Sequence, residues 1–284
     1  MKNNDKKKID KKKNYKILKL GKLEIKYTKS DVIGLVLIFL FILGLFISPK
    51  YYSVTTGLYN KGSEEDNNIV INALGSENTE ERFEIYFQWY NVIHELGHGL
   101  LYYGDGVDVH VVDEEQLVND FAVAYWRYYG EEEKLNTLED IVNYAVVNVG
   151  DNHKNGVDYI KLGKENSNGK SFDNSFFNFN DYGWFQFSSV KKSLESNKTL
   201  DSVLMEMGIK NYKLNDKKLL IYEDINQEVS TKIINDAVSN FNEWGIDYPK
   251  AIHHFDNDPN NNYSKPVVKL FWLIEYPDLG YIFS

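Results

Sequence analysis

The 284-residue chain contains no cysteine. It therefore has no disulfide to rely on, and any metal site must be built from His and carboxylates rather than thiolates. Proline is scarce, with five residues, and none falls in the strongest helical pattern described below. No internal repeat occurs. Most of the chain is also short of positive charge. Residues 1–30 hold twelve Lys against three acidic residues, while the remaining 254 residues hold 20 basic and 39 acidic ones. A basic tail is thus attached to an acidic body. Such a body argues against nucleic-acid binding, which requires cations to neutralise phosphates. The length and a hydrophobic content of 43% allow one sizeable core, a domain of about 200–250 residues.

Long apolar runs are equally few, with one prominent exception. Val32 to Ser48 (VIGLVLIFLFILGLFIS) carries no charge. As a helix it would span about 26 Å, close to a hydrocarbon core of about 30 Å. Tyr27 on one side and Tyr51-Tyr52 on the other are placed to seat at the two interfaces. The run reads as a single transmembrane helix, 31–48. The Lys-rich tail, 1–30, would stay cytoplasmic and residues 49–284 would lie outside the cell membrane. The alternative is a cleaved signal peptide. Against it stand the length of the positive region, the absence of an A-x-A site, and Pro49 where cleavage would fall.

Residues 49–78 read as a juxtamembrane linker containing one strand candidate, Ile69–Leu74. From Thr79 the apolar residues Phe83, Tyr86, Phe87, Tyr90, Ile93, Gly97, Leu100 and Leu101 recur at three- and four-residue steps. That spacing predicts an amphipathic helix, ended by Gly104 and Gly106. Val107–Val112 alternates like a strand. Asp113 then resembles an N-cap, with Gln116 reaching back, for a second helix that Gly130 closes. Further helical patterns cover 135–149, 184–196, 200–207 and 228–244. Residues 150–181 are rich in Asn, Asp and Gly and read mainly as loop.

The first helix carries His94-Glu95-Leu96-Gly97-His98. Two His at i and i+4 share a helix face and reach one Zn²⁺ together. Glu95 points towards the place of a metal-activated water, whose proton it can accept as general base. Gly97 lets a neighbouring element approach between the ligands. At this composition the pattern arises by chance in about one chain in a hundred. The bland alternative is a pair of core histidines salt-bridged to Glu95.

A catalytic zinc keeps three protein ligands and one open position. The metzincin extension is excluded, because Leu101 and Gly104 stand where it needs Gly and His. Glu115-Gln116-Leu117-Val118-Asn119-Asp120-Phe121-Ala122 resembles the second-helix pattern E-x-x-A-[ND]-x-F-A of gluzincins, which include thermolysin and the ImmA/IrrE-like peptidases. Val118 is the one departure, and the resemblance covers about residues 89–126. It implies Glu115 as third ligand and Asn119 as the group that orients a ligand His. Helical phase does not separate Glu115 from Glu114, and it sets Asp120 on a polar face with Gln116 and Arg127. A donor for the tetrahedral intermediate is also needed. His110, His153, His253, His254 and the tyrosines are candidates, and His253-His254 near Asp256 and Asp258 could take a second metal.

These readings combine into an α+β, zincin-like metallopeptidase domain after an N-terminal transmembrane helix, with a catalytic core at 79–150 and a mainly helical subdomain at 151–284. The expected activity is hydrolysis of protein or peptide substrates, with Zn²⁺ on His94, His98 and Glu115 and Glu95 as base. Two rivals are a membrane-anchored binding protein whose zincin site is structural or vestigial, and a zinc hydrolase of non-peptide amides.

Overall fold

Strand Tyr51–Thr56 (YYSVTT) alternates exposed and buried side chains along β-branched and aromatic residues, as a half-buried strand does. Its partner is Lys250–Phe255, nearly the whole body away in sequence, paired in parallel from Tyr51↔Lys250 to Thr56↔Phe255. The computed structural model describes residues 16–20, 23–27, 51–103, 106–150, 155–215 and 220–255. The chain divides into two units, Met1–Lys50 and Tyr51–Ser284. In the first, β1 (Lys16–Leu20) and β2 (Leu23–Tyr27) form an antiparallel hairpin in register Lys16↔Tyr27 to Leu20↔Leu23.

In the second unit, β3 (Tyr51–Thr56) and β4 (Lys250–Phe255) enclose a helical sequence. It runs α1 (Glu64–Leu74), α2 (Thr79–Phe83), a π-helical segment (Glu84–Tyr90), α3 (Asn91–Tyr103), α4 (Val111–Tyr129), α5 (Glu132–Asn148), α6 (Tyr159–Glu165), a second π segment (Phe179–Gly183), α7 (Trp184–Glu195), α8 (Leu200–Glu206) and α9 (Gln227–Glu243). The expected α+β architecture is therefore corrected. The fold is mostly helical, and β3 and β4 are the only strands among the described residues of this unit.

The errors have local causes. Ile69–Leu74 was expected as strand but belongs to α1. Ser63 and Asp66 close a capping box there, and Val70, Ala73 and Leu74 are buried at helical rather than alternating steps. Val107–Val112 does not form a strand either: its last two residues already begin α4, and His110 caps that helix by accepting from the Val112 N–H. The strand that does form, β3, lies in the stretch read as linker.

The membrane placement is corrected as well. Among the described residues no helix is long and apolar enough to cross a membrane. The run on which the single-pass anchor and the extracytoplasmic body rested, 31–48, lies outside the described residues.

Two helices organise the core. Thr79 to Tyr103 is continuous but widens to a π-helix over Glu84–Tyr90, where six of the seven residues are buried. Such widenings often accompany functional sites. Helix α4 is buried nearly all round and packs on α3 at Gly97. A Cβ added at Gly97 would lie 3.1 Å from both Val118 and Phe121, so the small residue permits the close crossing. Helices α5 and α7 close the core on other sides, with Trp89 stacked on Trp126 at 4.4 Å.

Candidate metal centre

The close crossing of α3 and α4 brings His94, Glu95 and His98 against Glu114 and Glu115. His94 and His98 lie one turn apart, and their Nε2 atoms are 3.3 Å from each other. The Oε2 of Glu115 stands 3.4 Å from Nε2 of His94 and 3.8 Å from Nε2 of His98. A tetrahedral zinc with bonds of about 2.0–2.1 Å sets neighbouring donors about 3.3–3.4 Å apart. The two nitrogens and one oxygen therefore form a triangle of nearly the right size, in borderline donors that suit zinc. This is the fit expected of a metal centre, and His94, Glu95 and His98 form a cluster able to hold an ion.

The other side of each imidazole is held too. Asn119 Oδ1 accepts from the Tyr90 hydroxyl at 2.8 Å and lies 2.7 Å from Nδ1 of His94. Its Nδ2 donates to Ser189 Oγ at 2.9 Å, so Oδ1 is the acceptor and Nδ1 of His94 carries the proton. Nε2 is then the nitrogen turned to the triangle. Nδ1 of His98 lies 2.8 Å from Oε1 of Glu114, a carboxylate–histidine pair of the kind that supports metal ligands. Glu114 and Glu115, indistinguishable by helical phase, thus face different atoms: Glu115 the shared triangle, Glu114 the outer nitrogen of His98.

Glu95 sits beside the triangle, with Oε1 3.9 Å from His94 Nε2. The Asn91 side chain, one turn earlier, donates to Oε1 at 3.0 Å. Oε2 is buried and has no hydrogen-bond partner among the described residues. Burial pushes the Glu95 carboxyl up to about 8, with Glu115 adding to the rise and His94 and Asn91 opposing it. For Glu115, burial also raises the pKa. The hydrogen bond with His94, the imidazole charges and the Gln186 N–H outweigh it and hold the carboxyl at about 2. Two buried carboxylates side by side are thus driven apart, Glu115 towards its ionised form and Glu95 towards its protonated one.

Surrounding elements pin the motif. Tyr52 from β3 donates to the carbonyl of Glu95 and Tyr248, just before β4, to that of Leu96, each at 3.1 Å. Gly99 admits Tyr248, since a Cβ there would lie 2.0 Å from its hydroxyl oxygen. From α7, Gln186 donates to Glu115 Oε2 at 2.8 Å, and the Tyr182 hydroxyl lies 3.4 Å from Glu115 Oε1.

Other sequence candidates lie elsewhere. His110 caps α4. His253 is bracketed by the hydroxyls of Thr56 and Thr231, each 2.9 Å from a ring nitrogen. His254 is exposed. His153, Asp256 and Asp258 lie outside the described residues. Asp120, placed by phase on a polar outer face, is 4% exposed and bound by Gln116, Ser193 and Lys198. Asn91 and Gln186 went unnoticed in the sequence. Asn91 stands four residues before Glu95, a spacing legible in principle; Gln186 is 71 residues from Glu115 and carries no local signal.

Comparison with protein-family models, with curated proteins and with solved structures finds no match to this chain.

Proposed function

We propose that the chain is a zinc-dependent metallopeptidase that hydrolyses peptide bonds in protein or peptide substrates. The observation that carries this reading is the triangle of His94 Nε2, His98 Nε2 and Glu115 Oε2, with a buried carboxylate oxygen of Glu95 beside it that has no partner among the described residues. His94, His98 and Glu115 hold the metal. Zinc bound there supplies Lewis acidity, lowering the pKa of water from 15.7 towards about 7 and polarising a carbonyl.

The chain's own part is acid–base and positional. Glu95 Oε2 accepts the proton of the attacking water and returns it to the leaving amine. Asn91 keeps Oε1 occupied, so that Oε2 faces the reaction. Burial of His94, Glu95 and Glu115 keeps bulk water from screening the charges that develop.

Metal analysis of the purified protein, beside hydrolysis of unfolded polypeptides, tests the reading. Wild type and Glu95→Gln should each carry one zinc. Turnover in Glu95→Gln should fall by about 10²–10⁴, the usual worth of a general base. Zinc at full occupancy with no hydrolysis by wild type would favour a structural site instead. Absence of zinc from wild type would remove the proposal altogether.

A further inference from the structure

Gln186 reaches the metal centre from a third helix, and all of its polar atoms are engaged there. The side chain is 6% exposed. Its Nε2 donates both hydrogens, one to Glu115 Oε2 at 2.8 Å and one to the Tyr182 hydroxyl at 2.8 Å. Its Oε1 accepts from Asn119 Nδ2 at 3.4 Å. The amide orientation is set by these partners, because the reverse would put a carbonyl oxygen against a buried carboxylate. Asn119 in turn holds Nδ1 of His94. One unbroken chain, Glu115–Gln186–Asn119–His94, therefore runs behind two sides of the donor triangle.

We propose that Gln186 is a positioning residue, which fixes the Glu115 carboxylate and, through Asn119, the His94 ring in the geometry that binds metal. This rests on the reading of the site as a metal centre. The argument is geometric. Oε2 of Glu115 is the oxygen that faces both imidazoles, and it is also the oxygen to which Gln186 donates. A carboxylate terminus rotates freely in a broad torsional well. An N–H on one oxygen, with the Tyr182 hydroxyl near the other, confines that rotation and presents Oε2 alone to the triangle. A hydrogen bond to an ionised carboxylate is strong and short. Partners of this kind behind a ligand typically account for 10–100-fold in metal affinity.

The test uses the full chain, freed of metal, titrated with Zn²⁺ against a chromophoric chelator and separately with Co²⁺ in the visible range. Gln186→Leu keeps apolar bulk and removes the donor. Gln186→Glu keeps the shape and turns the donor into an acceptor. Gln186→Met retains length and flexibility should either fail to fold. Ser188→Ala, at a buried site on the same helix whose hydroxyl has no hydrogen-bond partner among the described residues, is the control. Zinc affinity should fall about 10–100-fold in the Gln186 variants, with weakened and shifted cobalt d–d bands, and stay unchanged in the control. Wild-type affinity and an unaltered cobalt spectrum in folded Gln186 variants would overturn the proposal while leaving the metal centre standing. Failure of wild type to bind either ion would instead sink the metal-centre reading, a distinct result.

Discussion

Asn119 and His94, 25 residues apart, are joined by a 2.7 Å hydrogen bond between Oδ1 and Nδ1. The direction is settled by the other atoms of the amide, whose Nδ2 donates to Ser189 and whose Oδ1 already accepts from Tyr90. His94 is thereby held with a proton on Nδ1, so that its neutral tautomer is the one that offers Nε2 to a metal. A helix carrying His94 cannot do this alone. The tautomer belongs to the packing of α3 on α4.

The different positions of Glu114 and Glu115 predict different losses. Glu115→Gln removes the anionic member of the triangle and should abolish stoichiometric zinc at micromolar protein. Glu114→Gln leaves the triangle intact and alters only the partner of His98, so zinc affinity should fall about 10–100-fold. Chelator competition measures both. The reverse order, with Glu114→Gln the more damaging, would exchange their assignments.

Asp120 should matter for stability rather than for metal. It accepts from Ser193 Oγ at 2.6 Å, Gln116 Nε2 at 3.1 Å and Lys198 Nζ at 2.9 Å while 4% exposed. Asp120→Ala strands these donors, and losing a buried partner costs about 1–3 kcal/mol. Urea unfolding should show that loss in metal-free protein, with Asp120→Asn milder because it keeps an acceptor oxygen. An Asp120→Ala variant as stable as wild type would contradict the pairing.

Two glycines of the motif helix should respond differently to alanine. Either change gains about 1 kcal/mol of helix propensity. At Gly97 the new Cβ meets buried Val118 and Phe121 at 3.1 Å, so the crossing must open by a few tenths of an ångström and the loss should be the smaller of the two. At Gly99 it would lie 2.0 Å from the Tyr248 hydroxyl, and overpacking of about 1–3 kcal/mol should dominate. Tyr248→Phe should restore part of the loss in a double-mutant cycle. Equal stabilities of Gly97→Ala and Gly99→Ala would show that Tyr248 does not occupy the space above Gly99.

His253 predicts a pH dependence. Burial, and then the neighbouring His254, lower its pKa from 6.5 to about 4. A folded pKa below the unfolded one means that the unfolded chain takes up the proton first. The contribution of His253 is therefore complete above pH 6.5 and is lost as pH falls towards 4. Glu95 acts oppositely, since its carboxyl, raised from 4.5 to about 8, costs stability as pH rises through that range. The His253 effect is thus read as a difference: the gap in Tm between wild type and His253→Gln should shrink between pH 7 and pH 4. A gap that does not vary with pH would refute it.

Much of the helical framework was legible because it is periodic and local. The patterns at 135–149, 184–196, 200–207 and 228–244 meet helices α5, α7, α8 and α9 within a few residues. The strands failed for a matching reason. Ile69–Leu74 and Val107–Val112 have strand-like composition, yet neither finds a partner strand among the described residues, whereas Tyr51–Thr56 finds one almost 200 residues away. A strand exists only through its pairing, and pairing across the whole body leaves no trace in a local window.

The candidate site divides in the same way. Sequence alone determined that His94, Glu95 and His98 share one helix face, because i and i+4 meet on any α-helix. Only the tertiary structure decided which atoms face which. It set Glu115 against both Nε2 atoms and Glu114 against Nδ1 of His98, left one oxygen of Glu95 without a partner among the described residues, and brought Gln186 from a distant helix behind the Glu115 carboxylate. The physical reason is that a helix's own geometry fixes angles around its axis, whereas the rotation and depth of one helix against another are fixed by packing. Here that packing is the contact of Gly97 with Val118 and Phe121, which brings α3 and α4 close enough for imidazole and carboxylate to meet.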